Sequence, residues 1–210
     1  MSSYKSYQSQ LLKALEPKHP FKNPLIIIKG GSDFMLNLTH NALKAHWRGN
    51  GWAIERIEGL TFTAERFLQA TSTRSMFEPQ QMTLVTQAFA SPDLYDCLKK
   101  LEALKQIQPS LCLMQGGEVP AKFQKELNRL GSFTIACDEP APWEAKDFLM
   151  DRSRVYKLPL SAEASSLFLD STGADLIKIE NELRKLALIL ETGKGPIAAD
   201  ALRPHLDFLR

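Results

Sequence analysis

Leu25-Ile26-Ile27-Ile28-Lys29-Gly30-Gly31-Ser32-Asp33 is the stretch that decides the fold. Four consecutive apolar residues after Pro24 read as a short buried parallel strand. The glycine pair breaks it, and Ser32 or Asp33 stands where a helix is capped. The residues that follow, Phe34, Leu36, Leu38, Ala42, Leu43, Ala45 and Trp47, continue as that helix. The unit is therefore strand, glycine turn, helix, preceded by a polar helix-like N-terminal stretch.

Outward from this unit the same alternation repeats. Trp52–Ile57 reads as a strand, Thr61 to about Ser72 as a helix and Met82–Thr86 as a strand. Asp93–Gln106 follows as a helix, and Leu111–Met114 as a strand closed by Gly116-Gly117. Ala121–Leu130 is a helix ended by Gly131, and Phe133–Cys137 is the last strand. Five short strands separated by helices predict an α/β domain over residues 1–140, a mainly parallel five-stranded sheet with helices on both faces. Asp138-Glu139-Pro140-Ala141-Pro142 then breaks the pattern, and nothing beyond it resembles a strand. Residues 141–210 predict a small helical domain. Its clearest helix carries Leu176, Ile179, Leu183, Leu186, Ala187 and Leu190 at helical spacing, with Gly193 past its end. Pro159 separates two earlier helices, and Ile197–Phe208 suggests a last one.

Composition narrows the function classes. A chain of 210 residues, 44% hydrophobic and 24% charged, has material for real cores. Cys97, Cys112 and Cys137 are too far apart for a Cys-x-x-Cys motif, and an odd number argues against a full disulfide framework. Without a long apolar segment or a secretion signal, a cytoplasmic protein with no membrane partner is expected. Net charge is +2, with seven Lys/Arg against two Asp/Glu in residues 1–50 and ten against thirteen in residues 138–210. The basic end either faces phosphate or is a solvated surface.

The glycine turn after the first strand is where α/β proteins commonly bind phosphate, through free amides of the first helical turn. Here the turn is too short for a G-x-x-x-x-G-K-[ST] loop, Lys29 precedes the glycines, and Asp33 brings a negative charge to the phosphate position. The third strand runs into Gln87-Ala88 where an Asp-Glu pair would hold magnesium. Gly193-Lys194-Gly195 has no strand before it and reads as a helix-ending turn. No Gly-x-Ser-x-Gly or His-Glu-x-x-His motif occurs, and His40 and His46 fall on different faces of one helix. Glu180 and Glu182 read as solvated side chains. No catalytic residue, cofactor or metal is expected.

Taken in order, Ile26-Ile-Ile-Lys-Gly-Gly-Ser-Asp-Phe-Met-Leu36, Ser75-Met76-Phe77 before the third strand, Gly173–Leu188 and Gly195-Pro196-Ile197 resemble the delta subunit of the bacterial DNA polymerase III clamp loader. The likeness covers the first two domains of that family. Met76 departs from the family's leucine, and Glu78-Pro79 from a small residue. The resemblance implies an AAA+-like fold without a nucleotide site, and a subunit that binds the sliding clamp (the polymerase beta subunit) and helps open it for loading onto primed DNA. Other clamp-loader subunits would be its partners. It implies Met76 and Phe77 as the clamp-binding tip at the end of the helix that starts near Thr61. The family's third, helical collar domain would lie beyond Arg210. The alternative reading is a basic nucleic-acid-binding module of degenerate ATPase fold, and a third is an enzyme with a small-molecule pocket at the strand ends.

Overall fold

In the computed structural model, residues 3–16, 25–67, 81–100, 110–190 and 195–206 are described. They fall into two compact units, Lys5–Glu139 and Pro140–Arg210, the second also taking the chain up to Tyr4.

The first unit is built on β1 (Leu25–Gly30), β2 (Ala53–Glu58), β3 (Gln81–Thr86), β4 (Ser110–Gly116) and β5 (Phe133–Ala136). They form one sheet in the order β2-β3-β4-β1-β5, and every neighbouring pair is parallel. Ile27 sits between Leu113 on β4 and Thr134 on β5. A parallel sheet needs cover on both faces, which is why β1 is a continuous aliphatic run. Leu25, Ile27, Ile57, Val85, Leu111 and Leu113 share one core with Leu94 and Leu98 of α3 (Asp93–Lys100) and Phe123 and Leu127 of α4 (Ala121–Arg129). Strand alternation turns Ile26 and Ile28, both fully buried, to the opposite face. There α2 (Asp33–Gly49) buries Met35, Leu36, Thr39, Leu43 and Trp47. The Thr39 hydroxyl donates to Tyr7 of α1 (Ser3–Ala14) at 3.0 Å, tying the N-terminal helix to that layer.

The helix expected from Thr61 begins later. Gly59–Thr61 is a 3-10 turn and helical residues resume at 64–67. The Thr63 hydroxyl accepts from the Arg66 amide, so the cap falls at Thr63, and Phe62 is drawn into the core beside Phe67 at 5.5 Å. The rest of that helix lies outside the described residues. Only Asp93–Lys100 of the helix expected over Asp93–Gln106 is described.

The second unit contains α5 (Ala145–Val155), α6 (Ala162–Thr172), α7 (Leu176–Ile189) and α8 (Ala199–Leu206). Leu176, Ile179, Leu183 and Leu186 face inward along α7, with Phe148, Leu149, Phe168 and Leu202 fully buried on the other helices. Ser161 caps α6 and Asp175 caps α7 through their side-chain oxygens. Tyr4 belongs here: its amide donates to Glu144 Oε1 at 3.0 Å and its ring meets Phe148 edge-on at 5.8 Å. One isolated parallel bridge, Leu160 to Ile197, is the single strand-like pairing described beyond Cys137, and it is not part of the sheet.

Glu180 and Glu182 are a correction to the sequence reading: both are buried. The apolar stripe of α7 is wide enough to carry its neighbours inward, and each carboxylate is met by a cation. Arg152 of α5 grips Glu180 through two hydrogen bonds of 2.7 Å, and the Tyr156 hydroxyl adds a third of 2.7 Å. Lys185 reaches Glu182 at 2.7 Å from the solvent side.

Candidate functional site

The turn between β1 and α2 is held from several directions. A Cβ at Gly30 would overlap the backbone carbonyl of Cys137, so only glycine lets β1 and the chain leaving β5 approach this closely. The Ser32 amide donates to the Cys137 carbonyl at 3.2 Å, and the Cys137 amide to the Lys29 carbonyl at 2.6 Å. Two carboxylates complete the arrangement. Asp138 accepts from the Gly31 amide at 3.2 Å, and Glu139 accepts from the Ser32 hydroxyl at 2.5 Å. Ser32 is the N-cap of α2, its oxygen accepting from the Met35 amide at 3.4 Å. The Gly31 amide and the Ser32 amide and hydroxyl thus already meet the chain's own acceptors, and Asp33, Asp138 and Glu139 make the neighbourhood acidic. Lys29 lies beside the turn and pairs with Glu118 at 2.6 Å.

At the carboxyl end of β3, Thr86 is followed by Gln87 in the left-handed region at φ +50°. Gln87 takes that conformation where its carbonyl meets Gly59, at which a Cβ would overlap it. Gln115 at the end of β4 accepts from the Phe89 amide at 3.2 Å. The ends of β2, β3 and β4 and the start of α2 enclose a cleft of about 600 Å³, with Asp33, Asn37, His40, Arg56, Glu58 and Gln87 among its walls. Crevices beyond the carboxyl ends of parallel strands are the usual ligand position in open α/β sheets. Burial, then Lys44, then Arg56 lower the His40 pKa, which keeps the imidazole neutral at pH 7. Its Nε2 is buried and meets no hydrogen-bond partner among the described residues.

All three cysteines are buried free thiols. Burial pushes the Cys137 thiol up to about 11 and Cys112 higher still, the wrong direction for a nucleophile. Among the described residues no group of His, Cys, Asp and Glu is arranged to hold a metal, and no helix is long and apolar enough to cross a membrane. Met76 and Phe77 lie outside the described residues, as do Gly193 and Lys194 of the glycine-lysine segment. The sequence reading missed Asp138 and Glu139 as partners of the glycine turn, because proline neighbours marked them as a breaker. Two adjacent carboxylates directly after the last strand were the available signal.

No family model matches the chain, and no curated protein matches it. Solved structures do. The DNA clamp loader delta protein of Bacillus subtilis superposes with a TM-score of 0.66 at 13% identity, over 92% of this chain and 60% of that one. The Holliday junction branch migration motor RuvB of Thermotoga maritima gives 0.56 at 11% identity, over 97% and 68%. The fold is AAA+-like. This chain spans about 60% of the length of the delta protein that it resembles. Within the AAA+-like sheet, the glycine turn, the end of β3 and the end of β4 converge on one rim, and in this chain that rim is Lys29–Asp33, Gln87 and Gln115.

Proposed function

We propose that the chain is a clamp-loader subunit of the delta type, which binds the sliding clamp and helps open it for loading onto primed DNA, with no ATPase activity of its own. The observation that carries this reading is the likeness to a clamp loader delta protein over 92% of the chain. It is supported by the turn at Gly30-Gly31-Ser32, whose donors are engaged by Asp138, Glu139 and Cys137. Its partners are the clamp, the other clamp-loader subunits and primed DNA, and its contact with the clamp is through Met76 and Phe77.

Two adjacent apolar side chains buried in a partner pocket contribute about 2–4 kcal/mol, and such anchors dominate interface energetics. The double variant Met76→Ala with Phe77→Ala is therefore expected to weaken binding to purified clamp about 30-fold or more, with its melting temperature close to that of the parent. Surface plasmon resonance and thermal unfolding measure the two quantities. Undiminished clamp binding by the folded variant removes the site. A loss of several kcal/mol of folding stability makes the pair core instead.

A further inference from the structure

After Asp33, α2 carries no carboxylate through Gly49, and its outward face presents Asn37, His40, Asn41, Lys44 and Arg48 at helical spacing. Asn37, Asn41 and Arg48 are exposed, and His40 and Lys44 are half-buried. Arg56 on the edge strand β2 joins them. It lines the same cleft as Asn37 and His40, and its side chain is 59% exposed. Arg48 suits the carboxyl end of a helix. Lys44 stands in mid-helix and forms no ion pair among the described residues. Arg56 meets Glu58 at 3.5 Å in an exposed pair that costs little to break.

We infer that this Asn-His-Lys-Arg face of α2, continued by Arg56, is a binding strip for the phosphate backbone of duplex nucleic acid, apart from the glycine turn and from the Met76–Phe77 element. Amide side chains interleaved with cations are the groups that contact phosphate oxygens without reading sequence. The strip from Asn37 to Arg48 runs about 16 Å along the helix at about 1.5 Å per residue, which is about five base-pair steps at about 3.4 Å each. Its chemistry separates it from other polyanion surfaces. A helix seated in an anionic membrane interface needs large apolar side chains, none of the exposed large hydrophobics is on α2 or β2, and three cations fall short of the about four to eight of a basic lipid-binding cluster. A single-strand platform would need exposed aromatic rings, and Phe34 and Trp47 of α2 are half-buried and buried. His40 reports the local field. Burial lowers its pKa most, and the cations Lys44 on its own helix and Arg56 on β2 lower it further.

The test uses the full chain and a fluorescent 20-base-pair duplex of arbitrary sequence in about 50 mM salt, read by anisotropy. Binding is expected to be sequence-independent, with a log-log salt slope near −3 for about three neutralised phosphates. The triple variant Lys44→Gln, Arg48→Gln, Arg56→Gln should lose 10-fold or more in affinity and most of the slope. The control variant Lys122→Gln with Lys125→Gln, which removes two exposed cations from α4, should keep both. Duplex should also raise the His40 pKa, followed by the imidazole proton resonance, because added phosphate offsets Lys44 and Arg56. No duplex binding by the parent, equal losses in the two variants, or an unmoved His40 titration overturns the strip. Clamp retention by the triple variant is expected to be unchanged, so the strip and clamp reading fail separately.

Discussion

At the residue scale, Gly30 and the Arg152-Glu180 pair show how single residues hold each unit. Gly30→Ala would drive a methyl into the Cys137 carbonyl, which the Ser32 amide pins, so the backbone cannot yield cheaply. A loss of about 3 kcal/mol is expected in urea unfolding. In the helical unit, burial pushes the Glu180 carboxyl up, but the hydrogen bonds from Arg152 and Tyr156 and the guanidinium charge outweigh it and hold it below the ordinary carboxylate range. Glu180→Gln leaves the half-buried Arg152 guanidinium without its anion and should cost about 3 kcal/mol at pH 7. A depressed carboxylate contributes stability that is fully present above its unfolded pKa of about 4.3 and is lost as pH falls through the folded value. The gap between parent and variant should therefore narrow below about pH 4. A gap that stays constant down to pH 2 would mean the pair contributes nothing through ionisation.

At the element scale, α7 depends on its first turn. The Asp175 carboxylate accepts from the Ile177 amide at 2.9 Å and the Lys178 amide at 3.0 Å, satisfying two donors that the helix itself leaves open. Asp175→Ala is expected to cost about 1 kcal/mol, and Asp175→Asn markedly less. Equal losses for the two would mean that charge at the helix end, rather than acceptance of the amides, is what the cap supplies. The start of α2 is built differently: Ser32 both caps the helix and donates to Glu139, so its hydroxyl couples the glycine turn to the strand-exit segment.

At the scale of the whole molecule, the Lys29–Asp33 turn bears on whether nucleotide acts on the chain at all. A ligand that binds only the folded state stabilises it by about 2.7 kcal/mol at a hundred times its dissociation constant. Magnesium-ATP at 2 mM is expected to leave the melting temperature of the full chain unchanged, within the error of a thermal scan. A rise of several degrees that ADP reproduces would show a working nucleotide site and remove the delta-type reading of the turn.

Periodicity alone determined the order of strands and helices, because a fully buried parallel strand such as Leu25–Ile28 and an inward stripe such as Leu176, Ile179, Leu183 and Leu186 leave patterns that local physics imposes. The absence of a phosphate loop was equally legible at Lys29–Asp33, since that chemistry needs named residues at fixed spacing. What lay beyond the sequence depends on distance in space. Strand order, which seats β1 between β4 and β5, is set by crossover connections. Asp138 and Glu139 become partners of the turn only because β5 pairs with β1. Glu180 reads as a solvated charge until α5 brings Arg152 across to it. His40, Lys44 and Arg56 form one surface only after α2 lies beside β2. In each case the partner that fixes the residue's role arrives from an element some distance away along the chain.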